Sequence, residues 1–330
     1  MNILGIETSC DETAASVVQD GCFVLSNIIT SSLKEHAKYG GIIPEIASRR
    51  QLECINPVVH SALKKADVTL KDIDAIAVTQ SPGLIGSLLV GTSFARSLAF
   101  AIQKPLIPVN HIEAHLYANF LISKKSGFQK KNQLPRLPVV GLVVSGGHSA
   151  LYSIKDFSHF ELIGQTRDDA VGEAFDKVAR ILALGYPGGP AIDKLAKQIQ
   201  STPIKFPCAT LPGSHDFSFS GIKTAVLNYT KSRDAQSTAT KAQICHAFQQ
   251  SVVSVLVEKS MLCCKKLKAK TLVIGGGVAA NSYLRAELFK SAREHSIKVF
   301  IPEFEFCLDN AAMIAGLGYH LKKKGADYAE

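Results

Sequence analysis

Apolar positions fall into two kinds of run along this chain. Short β-branched runs alternate with longer stretches whose apolar positions recur every three or four residues. The short runs predict strands at 2–6, 14–18, 22–29, 75–79, 106–109, 139–144, 151–154, 272–274 and 298–300. The longer ones predict helices at 44–65, 86–101, 111–121, 169–182, 191–200, 221–231, 241–266, 282–294 and 309–322. Strands alternating with helices is the pattern of an α/β protein. At 330 residues the chain exceeds one ordinary domain, which predicts two lobes.

Residues 3–18 (ILGIETSCDETAASVV) read strand, small polar turn, strand, and residues 140–154 (VGLVVSGGHSALYSI) do the same. Two lobes that each open on a hairpin would leave this echo, although unrelated hairpins also look alike. Turns of this kind can aim backbone N–H groups at phosphate oxygens.

Composition adds bounds. A 46% hydrophobic and 20% charged chain has ample material for a core. No stretch reads as 18 uncharged apolar residues, so a spanning helix is not expected. The start, MNILGIETSC, turns polar too early for a signal peptide and reads as the first strand. Eight cysteines without a CxxC spacing read as reduced thiols of a cytoplasmic protein. Thirty-seven Lys and Arg against 28 Asp and Glu leave +9, which favours a polyanionic partner. The segment 123–138 (SKKSGFQKKNQLPRLP) has four lysines and no acid, and reads as a solvated loop or an anion contact.

The chemistry-bearing candidates are few. His111 and His115, at i and i+4, share one helical face and suit a divalent cation or an ordinary histidine pair. Glu113 lies two residues past His111, not one, and points about 200° away, which disfavours a metalloprotease HExxH site. The run Gly275-Gly276-Gly277-Val278-Ala279-Ala280-Asn281 leads from a strand into a helix, as does Pro187-Gly188-Gly189-Pro190 with Asp193 beyond it. Neither is a complete dinucleotide fingerprint or a P-loop. Further acids are Glu7, Asp11, Glu12, Asp176 and Asp309, and Asp309 also fits a helix N-cap. Ser145 lacks the GxSxG setting of a serine hydrolase.

Together these segments resemble the universal tRNA threonylcarbamoyladenosine transferases, TsaD in bacteria. The resemblance is carried by GIETSCDETA, PEIASRRQ, SPGLIGSLLVG, HIEAH, VSGGHS, DDAVGEAFDKVAR with YPGGP, FSFSGIKT, GGGVAAN and LDNAAMIA, spread over residues 5–315. It implies two related lobes of the actin-like (ribonuclease H-like) ATPase fold with a nucleotide cleft. The expected lobes are 1–109 with the C-terminal helix of about 310–330, and 110–309 carrying most of the site. The implied reaction moves threonylcarbamoyl from threonylcarbamoyl-AMP to N6 of adenosine 37, in tRNAs reading codons that begin with A.

The resemblance also implies one divalent metal, iron or zinc, on His111, His115 and Asp309. It places the adenylate at Val143, Val144, Ser145, Gly146, Gly147, Asp176, Gly189, Asp193 and Asn281, with Asp11 and Glu12 as catalytic acids of the first hairpin. Departures from the family pattern are Ala114 for Gly, Ser149 for Thr, and Leu308 for Thr beside the metal aspartate. The implied partners are a tRNA anticodon stem-loop, contacted here by Lys124, Lys125, Lys130 and Lys131, a paralogue lacking the metal site, a small ATPase, and an upstream threonylcarbamoyl-AMP synthase. A small-molecule kinase or nucleotide-regulated module of the same superfamily is the alternative, and a metalloprotease a weaker one.

Overall fold

The structure, a computed structural model, describes residues 1–127, 133–232 and 237–325. Two compact units divide the chain. Unit 1 is Met1–Pro135 with Asp156–His159 and Pro302–Glu330, and unit 2 is Arg136–Lys155 with Phe160–Ile301. The expected boundary at 109/110 is therefore corrected: 110–135 and 302–309 belong to unit 1. The cause is local pairing, because Ile122 and Ser123 return to join Phe23 and Val24 as an added strand.

In unit 1, β1 (Asn2–Glu7), β2 (Glu12–Gln19) and β3 (Phe23–Ser31) form an antiparallel meander. β4 (Ala75–Ser81) and β5 (Leu106–Asn110) extend it in parallel beyond β1, and β6 (Ile122–Ser123) closes the other edge. Helices α1 (Leu33–Ala37), α2 (Pro44–Ala66), α3 (Ile85–Ile102) and α4 (His111–Tyr117) follow in order. α2 starts with proline in its first turn, where the missing N–H goes unused. Its buried positions 47, 54, 55, 58, 59, 62 and 66 make one apolar stripe, interrupted by Gln51, whose amide donates to the Cys10 and Glu12 carbonyls.

Among the described residues α3 is the one helix that by length and a mean hydropathy of 1.5 is apolar enough to cross a membrane, although it carries Arg96. Here its small face, Ser87, Gly91, Ala95 and Ala99, is buried within unit 1 against α2 and β4.

In unit 2, β7 (Val139–Val144), β8 (Ser149–Asp156), β9 (His159–Gln165), β10 (Thr271–Gly275) and β11 (Lys298–Phe300) form a sheet of order β11-β10-β7-β8-β9. Unit 1 has β5-β4-β1-β2-β3 in the same places. The hairpin echo read in the sequence is thus part of a repeated five-stranded sheet. Helices α5 (Val171–Ile181), α6 (Gly188–Ala196), α7 (Ser220–Ser232), α8 (Thr238–Lys266) and α9 (Ser282–Glu294) complete this unit. The last helix, α10 (Ala311–Lys323), packs on the unit 1 sheet.

Candidate metal centre and small-residue turns

Three parallel strands of unit 1 end together. β1 ends on Glu7, β4 carries Thr79 near its end, and β5 runs straight into α4 at His111. The carboxyl ends of parallel strands are where such sheets place their ligands. Asn110 starts α4 by accepting from the Ile112 N–H at 2.9 Å and the Glu113 N–H at 3.2 Å.

α10 supplies the third group. It crosses β1 so closely that a Cβ at Gly5 would lie 2.2 Å from the Ala311 carbonyl oxygen, so only glycine fits there. Asn310, not Asp309, is the N-cap of α10, accepting from the Met313 N–H at 3.1 Å. Its amide also donates to the carbonyls of Phe306 and Leu308, which fixes the turn carrying Asp309. The capping role that Asp309 fitted in the sequence belongs to its neighbour.

His111 Nε2 lies 3.6 Å and His115 Nε2 3.1 Å from Asp309 Oδ1. One ligand atom from each of the three residues falls within 4.8 Å of the others. Both ring nitrogens of His115 are buried, and apart from the Nε2 contact with Asp309 neither has a hydrogen-bond partner among the described residues. Two imidazoles and a carboxylate form a donor set that suits a divalent cation, and buried nitrogens without hydrogen-bond partners are what a bound cation would satisfy.

Behind His111, Nδ1 lies 3.0 Å from Glu7 Oε2. Glu7 is fully buried and also accepts from the Ser9 N–H and the Thr79 hydroxyl. Burial disfavours its charge, but His111 and these donors outweigh burial and hold the carboxyl below its usual value. An ionised Glu7 orients the ring with Nδ1–H toward itself and leaves Nε2 facing Asp309. Burial likewise opposes charge on His111, yet Glu7 and Asp309 raise it to about 9, so a cation binding there displaces a proton.

Glu12 opens β2 and Asp11 stands in the turn just before it. Asp11 is buried, and its backbone carbonyl accepts from the N–H and hydroxyl of Ser32. Burial, with the charges of Asp309 and Asp11 nearby, pushes Glu12 up to about 10, so it carries a proton at neutral pH. The same burial and acids push the Cys10 thiol far up, which removes it as a thiolate nucleophile. All eight cysteines are free of disulfides. Glu113 is outside the triad, and burial raises its carboxyl to about 7.

The remaining candidates lie in unit 2 and share a contact network. Val143 and Val144 are buried at the end of β7, and Gly146 and Gly147 are exposed with open space where a Cβ would stand. The Ser145 hydroxyl accepts from the His148 N–H at 3.0 Å, closing the turn. A Cβ at Gly276 would lie 2.4 Å from the Val144 oxygen, and one at Gly172 would lie 2.6 Å from the Ser145 oxygen. Ser149 keeps the hydroxyl of the family's threonine and accepts from the Val171 N–H at 2.8 Å, starting α5.

Asp176 accepts from the Gly188 N–H at 2.7 Å, and burial raises its carboxyl. Asp193 accepts from the Ser282 hydroxyl at 2.9 Å and pairs with Lys197. Asn281 caps α9 through the Leu284 N–H and donates to Gln249 at 2.8 Å. Gly189 is half-buried with no atom near its Cβ position. Asp176, Asp193 and Asn281 therefore hold helix starts together, whatever else they contact.

Sequence reasoning assigned no role to Glu7, omitted Thr79 and Gly172, and read Gly276 only as part of a glycine-rich turn. The strand-end position of Glu7 was the available signal. Lys124 and Lys125 are exposed on a short turn, while Lys130 and Lys131 lie outside the described residues.

The family profile described as TsaD, tRNA N6-adenosine threonylcarbamoyltransferase, matches residues 23–316. Proteins of that name from Caldicellulosiruptor bescii and Clostridium perfringens are 50% and 52% identical, over 98% of this chain and 94% and 93% of theirs. Among solved structures, component A of the Acidaminococcus fermentans (R)-2-hydroxyglutaryl-CoA dehydratase has a TM-score of 0.55 at 14% identity, over 99% of this chain and 100% of that one. HypF of T. kodakarensis reaches 0.63 at 13%, over 98% of this chain and 48% of that one. At such identities the two structures speak for the fold alone, and that fold is the actin-like α/β architecture. The chain belongs to the TsaD family of tRNA N6-adenosine threonylcarbamoyltransferases.

Proposed function

We infer that this chain is a tRNA-modifying acyltransferase that places a threonylcarbamoyl group on N6 of a tRNA adenosine. The donor we assign is threonylcarbamoyl-AMP and the acceptor adenosine 37 of tRNAs reading codons that begin with A. N6 bonds to the carbamoyl carbon, the bond from that carbon to the phosphate oxygen breaks, and AMP leaves with the electron pair. The exocyclic amine is a weak nucleophile, so positioning and charge stabilisation must supply the acceleration.

The observation that carries this reading is the convergence of His111 Nε2, His115 Nε2 and Asp309 Oδ1 in unit 1. These three residues would hold the cation, and iron or zinc both suit such a set. When bound, the cation supplies Lewis acidity toward an oxygen of the acyl donor. Glu7 keeps His111 in the ligating orientation. Asp11 is the group we assign to take the proton shed by N6, with protonated Glu12 beside it. In unit 2, the exposed backbone of Gly146 and Gly147 suits the adenylate phosphate.

A paralogous protein partner is supported by Leu52 on α2 and Ile85, Leu89 and Phe100 on α3, which are exposed apolar side chains. A small ATPase, an upstream synthase and a cytoplasmic setting belong to the same reading. Lys124 and Lys125 are assigned to the tRNA, and charge reversal there should lower affinity; an unchanged salt dependence makes that turn a spectator. The test of the function is mass analysis of nucleosides from tRNA incubated with the chain, its partners, threonine, bicarbonate and ATP. Threonylcarbamoyladenosine in the digest supports it, and ATP-dependent phosphorylation of a sugar or acetate instead would favour a kinase.

A further inference from the structure

The positive charge of this chain is concentrated. Residues 265–298 hold eight Lys and Arg against two Glu, a net of +6 out of the chain's +9. In unit 2 this stretch comprises the end of α8, β10, α9 and the first residue of β11. A concave space of about 520 Å³ opens there, with Lys265, Lys268, Lys270 and His295 as its ionisable lining. Ala269 and Ile297 contribute apolar surface, and no acid lines it. The three lysines are exposed, and among the described residues none has an ion-pair partner.

Cations at helix C-termini have an ordinary use, since each terminus carries about half a negative charge. α8 and α9 both end at this hollow, with Leu267 and His295 as their C-caps. Their last carbonyls are already met by backbone N–H groups, among them Leu267 to Cys263 at 3.0 Å and Ala269 to Cys264 at 2.9 Å. Two half-charges leave three lysines mostly unneutralised, and Lys290, Arg293 and Lys298 stand exposed in the same stretch. Lysine donates and cannot accept, so this lining suits phosphate oxygens.

We propose that this hollow, in a different unit from the metal triad, is a docking site for the phosphate backbone of the tRNA substrate. The proposal rests on tRNA being the acceptor. The contact fixes the position of the RNA without selecting its sequence. It makes affinity salt-dependent, each neutralised phosphate adding about 0.7–0.9 to the slope of log affinity against log salt.

The test uses the full-length chain and an unmodified tRNA transcript, with affinity measured from 50 to 200 mM salt. Lys265→Ala/Lys268→Ala/Lys270→Ala should lower the slope by about 2 and the affinity at low salt by about tenfold or more. The arginine triple at the same positions should restore both. Lys64→Ala/Lys65→Ala/Lys71→Ala, an equal charge change on exposed lysines of unit 1, should leave both unchanged. Should the triple fail to fold, Lys268→Gln alone should lower the slope by about 0.8.

His111→Ala/His115→Ala should keep tRNA affinity while losing transfer, which separates failure of this site from failure of the functional reading. A triple variant with native affinity and slope overturns the proposal. So does an effect no larger than that of the unit 1 control, or the absence of salt-dependent tRNA binding by the unaltered chain.

Discussion

Glu7 Oε2 stands 3.0 Å from Nδ1 of His111, and the carboxylate has no exposed surface at all. A buried carboxylate behind a ligating histidine fixes the ring's tautomer and raises its basicity, and losing it typically weakens metal binding about 10–100-fold. Glu7→Gln keeps the size and removes the charge. Competition against a chromophoric chelator should show metal affinity lower by about that factor, with tRNA affinity unchanged. Native metal affinity in Glu7→Gln would reduce the contact to a packing role.

Gly5 and Gly276 predict opposite consequences for the metal. A Cβ at Gly5 meets the backbone of α10, the helix whose start carries Asp309. Gly5→Ala should destabilise unit 1 by about 2–3 kcal/mol and lower metal content, because the helix must move off β1. Gly276 has φ +94 and lies against the Val144 carbonyl in unit 2. Gly276→Ala should weaken adenylate binding at least as strongly and leave metal content unchanged. Metal analysis beside thermal melts distinguishes the two, and equal metal loss in both would contradict the assignment.

Acid should weaken unit 1 through His320. Its Nε2 lies 3.0 Å from the Tyr117 hydroxyl, which itself donates to the Gly21 carbonyl. Burial, with Lys323 and Lys324 nearby, holds His320 down to about 4. The unfolded chain takes up that proton near pH 6.5, the folded chain only near 4, so stability is lost as pH falls through this window. With the ring partly exposed, about 1–2 kcal/mol is at stake. His320→Gln should flatten urea midpoints between pH 7 and 4.5. A variant with the native pH slope would show that other groups carry it.

The histidine pair was legible because i,i+4 spacing is a property of five consecutive residues. Asp309 was not, since 194 positions separate it from His115 and only the family resemblance linked them. Its neighbour Asn310 is an equally good cap, and which of two adjacent Asx residues caps α10 is settled by the turn at 306–310. Glu7 escaped assignment because its contact with His111 exists only once β1, β4 and β5 lie side by side. β9 was missed because most of its side chains face solvent, which leaves no alternation to read. β6 pairs over two residues and α1 spans five, too short for any periodic signal, and that same β6 moved the unit boundary. The strands at 139–144 and 298–300 and the helix at 282–294 came out as expected; the first is buried throughout and the helix starts on the Asn281 cap.

The most direct test is transfer itself with the triad altered. Native chain, His111→Ala/His115→Ala and Asp309→Asn would each be given threonylcarbamoyl-AMP, unmodified tRNA and the partner proteins, with metal content, tRNA affinity and the modified nucleoside measured on each. The account predicts about one metal ion and the modified adenosine in the native chain, and loss of both in the variants while tRNA affinity stays native. Native turnover by chains that hold no metal would contradict it.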